Sequence, residues 1–306
     1  MLNRRILRIK VFKAIYTYAE NPGMSLKELE SLLELSCEST RDLYLFMLSV
    51  TKPLTDEALS RIESARNKFN PTDEERNPNM KFVRNRIPAI LSSDPDFTKI
   101  VSKKKLSWAQ YDILLRKLYD SIKVSPYFKT YMEDPSDSLK KDAALWRKIF
   151  ENEFEDLDSL AEVLEDMSIY WNDDLAYALT WCCRTMDSLG KGETWNLLPL
   201  YQSDMDTSEA KQSDKVFAVK LLRAAYTGFS RYYDLLAENT PKWDKNRICA
   251  TDVALIVCGL AESEAFDIPS KIVINEYVEI SKYYSTPESR SFVNGVLDRL
   301  IKAKQE

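Results

Sequence analysis

Residues 266–300, FDIPSKIVINEYVEISKYYSTPESRSFVNGVLDRL, decide the fold, because nearly every local signal in them agrees. Asp267 and Pro269 mark a helix start, since Pro fits the first turn, where its missing N–H costs nothing. Beyond them Val273, Tyr277, Ile280 and Tyr284 recur at i, i+4, i+7 and i+11, with Lys271, Asn275, Glu279 and Lys282 on the opposite arc. That spacing predicts an amphipathic helix docked on a core. The segment 285–289, with Pro287, breaks it, and a second helix follows with Val293, Val296, Leu297, Leu300 and Ile301 on one arc. Three residues do not fit a purely structural pattern. Glu276 sits at the edge of the apolar side, Phe292 lies at the margin of its stripe beside Arg299, and Gly295 occupies a helix interior. Glycine there costs about 1 kcal/mol relative to Ala, so it is expected where another backbone approaches closely.

The rest of the chain extends the same grammar. Its 306 residues suit one large domain or two ordinary ones, and 44% hydrophobic residues are enough for a sizeable core. Gly is scarce, the 3.6-residue period recurs, and no alternating βα pattern occurs, so the fold class is all-α. The opening, MLNRRILRIKVFKAIYTYAE, has charge scattered through its apolar residues. It lacks the unbroken core of a signal peptide and does not span a membrane, so a cytoplasmic protein is expected. Five cysteines form no C-x-x-C pair and read as buried, reduced thiols. The absence of histidine excludes Ser-His-Asp and Cys-His catalysis and histidine-bearing zinc sites. No Gly-rich cofactor loop or P-loop stands in the chain, so we expect no cofactor, no metal and no enzyme.

Charge is unevenly spread about a net −5. Residues 3–19 carry Arg4, Arg5, Arg8, Lys10 and Lys13 and no acidic residue, on a segment whose Leu7, Val11, Ala14 and Tyr18 make a helical stripe. Ser25 and Glu28 form a capping box for a second helix. The run 70–79, NPTDEERNPN, reads as a loop, and 191–212 is the best linker candidate. Arg84 and Arg86, and Lys103 to Lys105, make further basic patches that read as solvated surface. Residues 133–174 are strongly acidic and would repel phosphates.

Sliding the chain by 72 positions places Ile149 on Leu221, Phe150 on Leu222, Phe154 on Tyr226, Leu157 on Phe229, Leu164 on Leu236 and Trp171 on Trp243. The apolar skeleton is duplicated while the polar positions differ, so Trp171 and Trp243 are expected to be packing residues. Function, if it lies here, belongs to the second copy.

Ile268-Pro269, Ile274-Asn275-Glu276, Val278 to Lys282 and Phe292 to Asp298 together resemble the C-terminal signature of the NusB family of transcription antitermination factors. Ala14-Ile15-Tyr16, with Arg4, Arg5 and Arg8 upstream, is similar to the family's N-terminal helix, and Arg247-Ile248 and Asp252 resemble the run leading into the signature. Val257 departs, standing where many relatives carry a basic residue. The resemblance covers about residues 3–20 and 215–303. It implies a NusB-like pair of helical bundles enlarged by an inserted, partly duplicated helical region, with 1–20 as basic helix, 21–212 as insertion and 213–306 as C-terminal core.

The resemblance also implies a binding protein. Its expected partners are boxA-like single-stranded RNA of ribosomal RNA leaders, the ribosomal protein NusE and the RNA polymerase antitermination complex, with no membrane. Carried over residue by residue, Arg4, Arg5, Arg8 and Lys13 become phosphate contacts, Arg290 and Phe292 contacts to backbone and base, and Asp252 and Arg247 partner contacts. Phosphate neutralisation would give a salt-dependent affinity, and stacked bases would add about 1–3 kcal/mol each. The competing expectation is a non-catalytic helical interaction scaffold that has lost RNA binding.

Overall fold

The apolar arcs read from residues 266–300 point inward in the computed structural model, which describes residues 1–155, 157–201, 213–240 and 248–302. Helix α14 (Ser270–Tyr284) buries Val273, Tyr277 and Ile280, and α15 (Pro287–Lys302) buries Val293, Val296, Leu297, Leu300 and Ile301. Pro269 stands just before α14 rather than inside its first turn. Among the described residues the fold is all-α, its β content being one isolated parallel bridge between Leu2 and Tyr201.

The chain divides into two compact units, Met1–Cys37 with Pro199–Glu306, and Glu38–Leu198. In the first, α1 (Arg4–Glu20), α12 (Asp214–Asn239), α14 and α15 all pack on α13 (Ala250–Ala265). Every residue of α13 from Asp252 to Glu262 is buried. A helix apolar all round belongs at the centre of a bundle. Its Gly259 makes that possible: a Cβ there would lie 2.8 Å from Leu297 Cδ2 and 3.3 Å from the Tyr277 ring. The opening part of α2 (Leu26–Ser49) belongs to this unit, and the Ser25–Glu28 capping box forms, with the Glu28 carboxylate 2.7 Å from the Ser25 amide.

The second unit is built from the remainder of α2, α3 (Thr51–Arg66), α4 (Asp73–Arg76), α5 (Arg86–Ser93), α6 (Pro95–Lys103), α7 (Asp112–Val124), α8 (Pro126–Glu133), α9 (Leu139–Asn152), α10 (Asp158–Met167) and α11 (Leu175–Gly190). Its densest pairing is α9 against α11. Trp146, Phe82 and Phe150 fill one part of the core, and Phe46 stacks on Trp108 at 4.2 Å in another. Trp171 is buried and donates its indole N–H to Ser39 at 2.9 Å, a packing residue as expected. Trp243 lies outside the described residues.

Three local expectations need correction. The loop 70–79 contains a one-turn helix, α4, because Thr72 and Glu75 form a capping box at its N-terminal end. A helix around Trp108 to Tyr119, which the apolar spacing there predicts, begins only at Asp112; Trp108 precedes it, its indole held by the Phe46 carbonyl at 2.9 Å. The spacing of Ile149, Phe150, Phe154, Leu157, Leu160 and Leu164 predicts one acidic helix, but this stretch is two helices, α9 and α10, whereas the matching stretch of the second copy is the single 26-residue α12. Cys37, Cys182 and Cys258 are buried, Cys183 is half-buried and Cys249 is exposed.

Candidate nucleic-acid interface

Asn3 starts α1 by accepting from the Ile6 amide at 3.1 Å, so Arg4 and Arg5 stand in the first turn with no acidic residue among them. Cations at a helix N-terminus oppose the helix dipole. Their charge must therefore be met from elsewhere, and each of the three arginines faces a carboxylate of the same unit. Arg4 lies 3.4 Å from Asp214 and 5.1 Å from the centre of the Phe217 ring. Arg5 grips Glu276 with two hydrogen bonds, 3.0 and 2.7 Å. Arg8 donates to Glu262 at 2.9 Å through Nε and 2.5 Å through Nη2, and lies 3.5 Å from Glu276.

Exposure separates these pairs. The Arg4 and Arg5 side chains are 45% and 55% exposed, whereas Arg8 is 7% exposed and Glu262 fully enclosed. The Tyr277 hydroxyl completes the inner site by donating to Glu262 at 2.8 Å. Burial opposes the charge on Arg8, yet its hydrogen bonds to Glu262 hold the guanidinium above the ordinary value. Burial and the neighbouring carboxylate push the Tyr277 phenol well up, so it stays a donor. Arg8, expected as a phosphate contact, is thus a buried strut that fixes α1 to α13 and α14.

The outer face of this network carries the remaining candidates. The hydrogen bond from Arg5 lowers the Glu276 carboxyl, although burial opposes it. Glu279 is lowered chiefly by Lys282, and also by Arg290 and Arg5, so both guanidinium groups act on one carboxylate. Arg290 is exposed in the first turn of α15, and Phe292 is half-buried two residues on. Lys13 stands 5.2 Å over the Tyr284 ring, which Phe12 also meets at 5.4 Å. The structure therefore lays α1 along α14 from Glu276 to Tyr284, and α15 packs on the same helix.

Other expected residues lie elsewhere. Asp252, expected to face a partner, is 6% exposed and accepts from Ser285 at 2.5 Å and Ser289 at 2.8 Å. It ties down the turn between α14 and α15 from inside. Gly295 faces open space, and the close approach expected of it belongs to Gly259. Val257 is fully buried, and Arg247 lies outside the described residues. Sequence reasoning missed Glu262, whose signal was a single carboxylate within the apolar run ALIVCGLAE, and Tyr283, an aromatic on a polar arc that is 81% exposed.

A model of the NusB family matches residues 179–302. The transcription antitermination protein NusB of Clostridium novyi (strain NT) is 31% identical over 117 residues, 38% of this chain and 87% of that protein. This chain belongs to the NusB family. The NusB protein of Dictyoglomus turgidum is 34% identical over 114 residues, covering 34% of this chain and 76% of its own. That of Syntrophotalea carbinolica is 35% identical over 97 residues, and the chain spans less than two thirds of it, 62%. No solved structure matches. The NusB match begins inside α11 and leaves out residues 1–20, so the place of α1 in this unit rests on its packing against α12 and α13. With most of its length before the match, the chain is an expanded NusB-family member. Among the described residues no helix is long and apolar enough to cross a membrane, and no cluster of three or more metal-ligating side chains occurs.

Proposed function

We propose that this chain is a transcription antitermination factor acting without catalysis in the bacterial cytoplasm. It binds boxA-type single-stranded RNA of ribosomal RNA leaders together with the ribosomal protein NusE, and the pair joins an RNA polymerase antitermination complex. Residues 1–20 and 213–306 supply the family core, and 21–212 is the inserted helical region. The observation that carries the reading is the set of α1 cations laid along α14, Arg5 on Glu276 and Lys13 over Tyr284, in a chain whose relatives are named transcription antitermination proteins.

Arg4 and Arg5 are the exposed cations of α1 that would meet phosphates, with Lys13 further along and Arg290 and Phe292 on α15. Each already faces a group of its own chain, so RNA must compete for it, and an overall charge of −5 adds a repulsive field. A basic partner protein supplies the missing positive field, so affinity for RNA should rise in the complex.

A titration of labelled leader RNA followed by anisotropy, with and without the ribosomal partner over a salt series, tests this. The expected result is weak, salt-dependent binding by the chain alone, tightened by the partner, with the salt slope reduced by about one in Arg5→Ala. Equal binding with and without the partner would refute the account of its charge. Full carboxylate occupancy of the α1 arginines favours one second reading, the interaction scaffold. Binding of the partner with no RNA affinity at any salt would establish it.

A further inference from the structure

We infer that Tyr283 is the stacking platform for one unpaired base of the bound RNA. The inference rests on the RNA-binding reading above and adds to it the residue that holds a base. Helix α14 turns its other two tyrosines inward: Tyr277 is fully buried, and Tyr284 packs against Phe12. Tyr283 alone of the three stands out in solvent, 81% exposed in the last turn. An aromatic ring exposed to that extent forgoes the burial that normally stabilises it.

Its surroundings favour a polyanion with flat bases. Tyr283 follows Glu276 by seven residues, hence lies on the same arc about 10 Å further along the helix. Arg5 is docked on that Glu276. Past the ring the chain turns at 285–286, and Arg290 is exposed in the first turn of α15. Arg5 and Arg290 both act on Glu279, one turn before Tyr283. A strand running from one guanidinium to the other would leave its phosphates on the cations and set a base on the phenol ring. Such stacking tolerates any base, because every base has a π-face.

The test uses the full chain with its ribosomal partner and a leader-type oligoribonucleotide carrying 2-aminopurine at successive positions. Tyr283→Ala should weaken RNA binding about tenfold, within the range of a single base stack. The salt slope should not move, since no charge is lost. Quenching of 2-aminopurine should vanish at one position and persist elsewhere, while Tyr283→Phe and Tyr283→Trp keep both affinity and quenching. If Tyr283→Ala matches the parent in affinity and quenching while Arg5→Ala lowers the salt slope, the stacking role is wrong and the RNA reading stands. If Tyr283→Ala weakens only the protein–protein association, the ring is a partner contact and the inference falls. Should the parent bind no RNA with or without the partner, the functional reading and the inference fall together.

Discussion

The helix pair α12 and α13 and the helix pair α9 and α11 can be laid over each other at the 72-residue offset, and they share an apolar skeleton, but α13 buries two carboxylates, Asp252 and Glu262, where α11 has Thr180 and Gly190. Asp142 and Asp214 occupy matching positions near the starts of α9 and α12, both buried. Each meets an arginine, Arg86 at 2.9 Å and Arg4 at 3.4 Å. Ile149 and Phe150 in one copy, like Leu221 and Leu222 in the other, are within 1% of full burial. The copies part at Gly190 and Glu262. Gly190 lies against Ala143, with 3.4 Å available to a Cβ, and brings no charge. Glu262 brings a buried carboxylate that Arg8 must answer. Duplicated apolar positions therefore build a pair of packed helices twice, and in one of them Glu262 ties on the cationic leading helix through Arg8.

The strongest way to break this comparison is Glu262→Ala, which strips the buried Arg8 of its enclosed partner and leaves it only the longer contact to Glu276 at 3.5 Å. Loss of one member of a buried pair should lower the unfolding free energy by about 3–5 kcal/mol, read by urea denaturation. Arg8→Met with Glu262→Leu should recover much of that, because no charge is then stranded. A cost below about 1 kcal/mol for Glu262→Ala, the value of an exposed pair, would show that α1 is held by other means.

Next in size is the contrast of two glycines. Gly259→Ala puts a methyl 2.8 Å from a buried Leu297 carbon, and the overpacking should destabilise by about 1–3 kcal/mol. A thermal melt that does not shift would mean the α13 crossing has slack.

The outer pair should matter less. Glu276 has a carboxyl lowered first by its hydrogen bonds from Arg5, so its contribution is fully present above the ordinary glutamate value of 4.5 and is lost as pH falls through the lower folded value. With Arg5 more than half exposed, Glu276→Gln should cost only about 0.2–1 kcal/mol at pH 7. The difference between parent and variant should close on acidification below pH 4.5, in denaturation midpoints across that window. A gap that stays constant with pH would assign the effect to packing rather than charge. Smallest of all, Gly190→Ala should stabilise by about 0.5 kcal/mol, because the methyl fits and the unfolded chain loses freedom. Destabilisation there would mean that α11 and α9 are packed as tightly as their counterparts.

Much of this fold was legible because periodicity reports burial directly. The stripes of α14 and α15, the Ser25–Glu28 box and the buried Trp171 all follow from spacing or from the repeat. The site was less legible, because a charge pattern does not say where a charge ends up. Arg8 read as one of three equivalent cations, yet it precedes Val11 by three residues and Ile15 by seven, which puts it on the buried arc. Only the tertiary partner, Glu262, makes that burial tolerable. Asp252 misled for the same reason: a carboxylate in the first turn of a helix reads as surface, and the hydroxyls that enclose it lie more than thirty residues away. Tyr283 was passed over beside Tyr284, since stripes are assigned by their apolar members and an aromatic off the stripe carries no periodic signal.

The 254 residues that separate Arg8 from Glu262 have a consequence for biosynthesis. The second unit is contiguous and emerges whole from the ribosome, while the leading helix has neither α12 nor α13 to dock on until that unit is finished, and its site is complete only when α13 is made. At ~5–20 residues per second, that interval is roughly 10–50 s. Throughout it, a nascent arginine-rich segment whose Leu7, Val11 and Ile15 end up fully enclosed is presented to chaperones and to ribosomal RNA, before the carboxylates that will claim its charges have been translated.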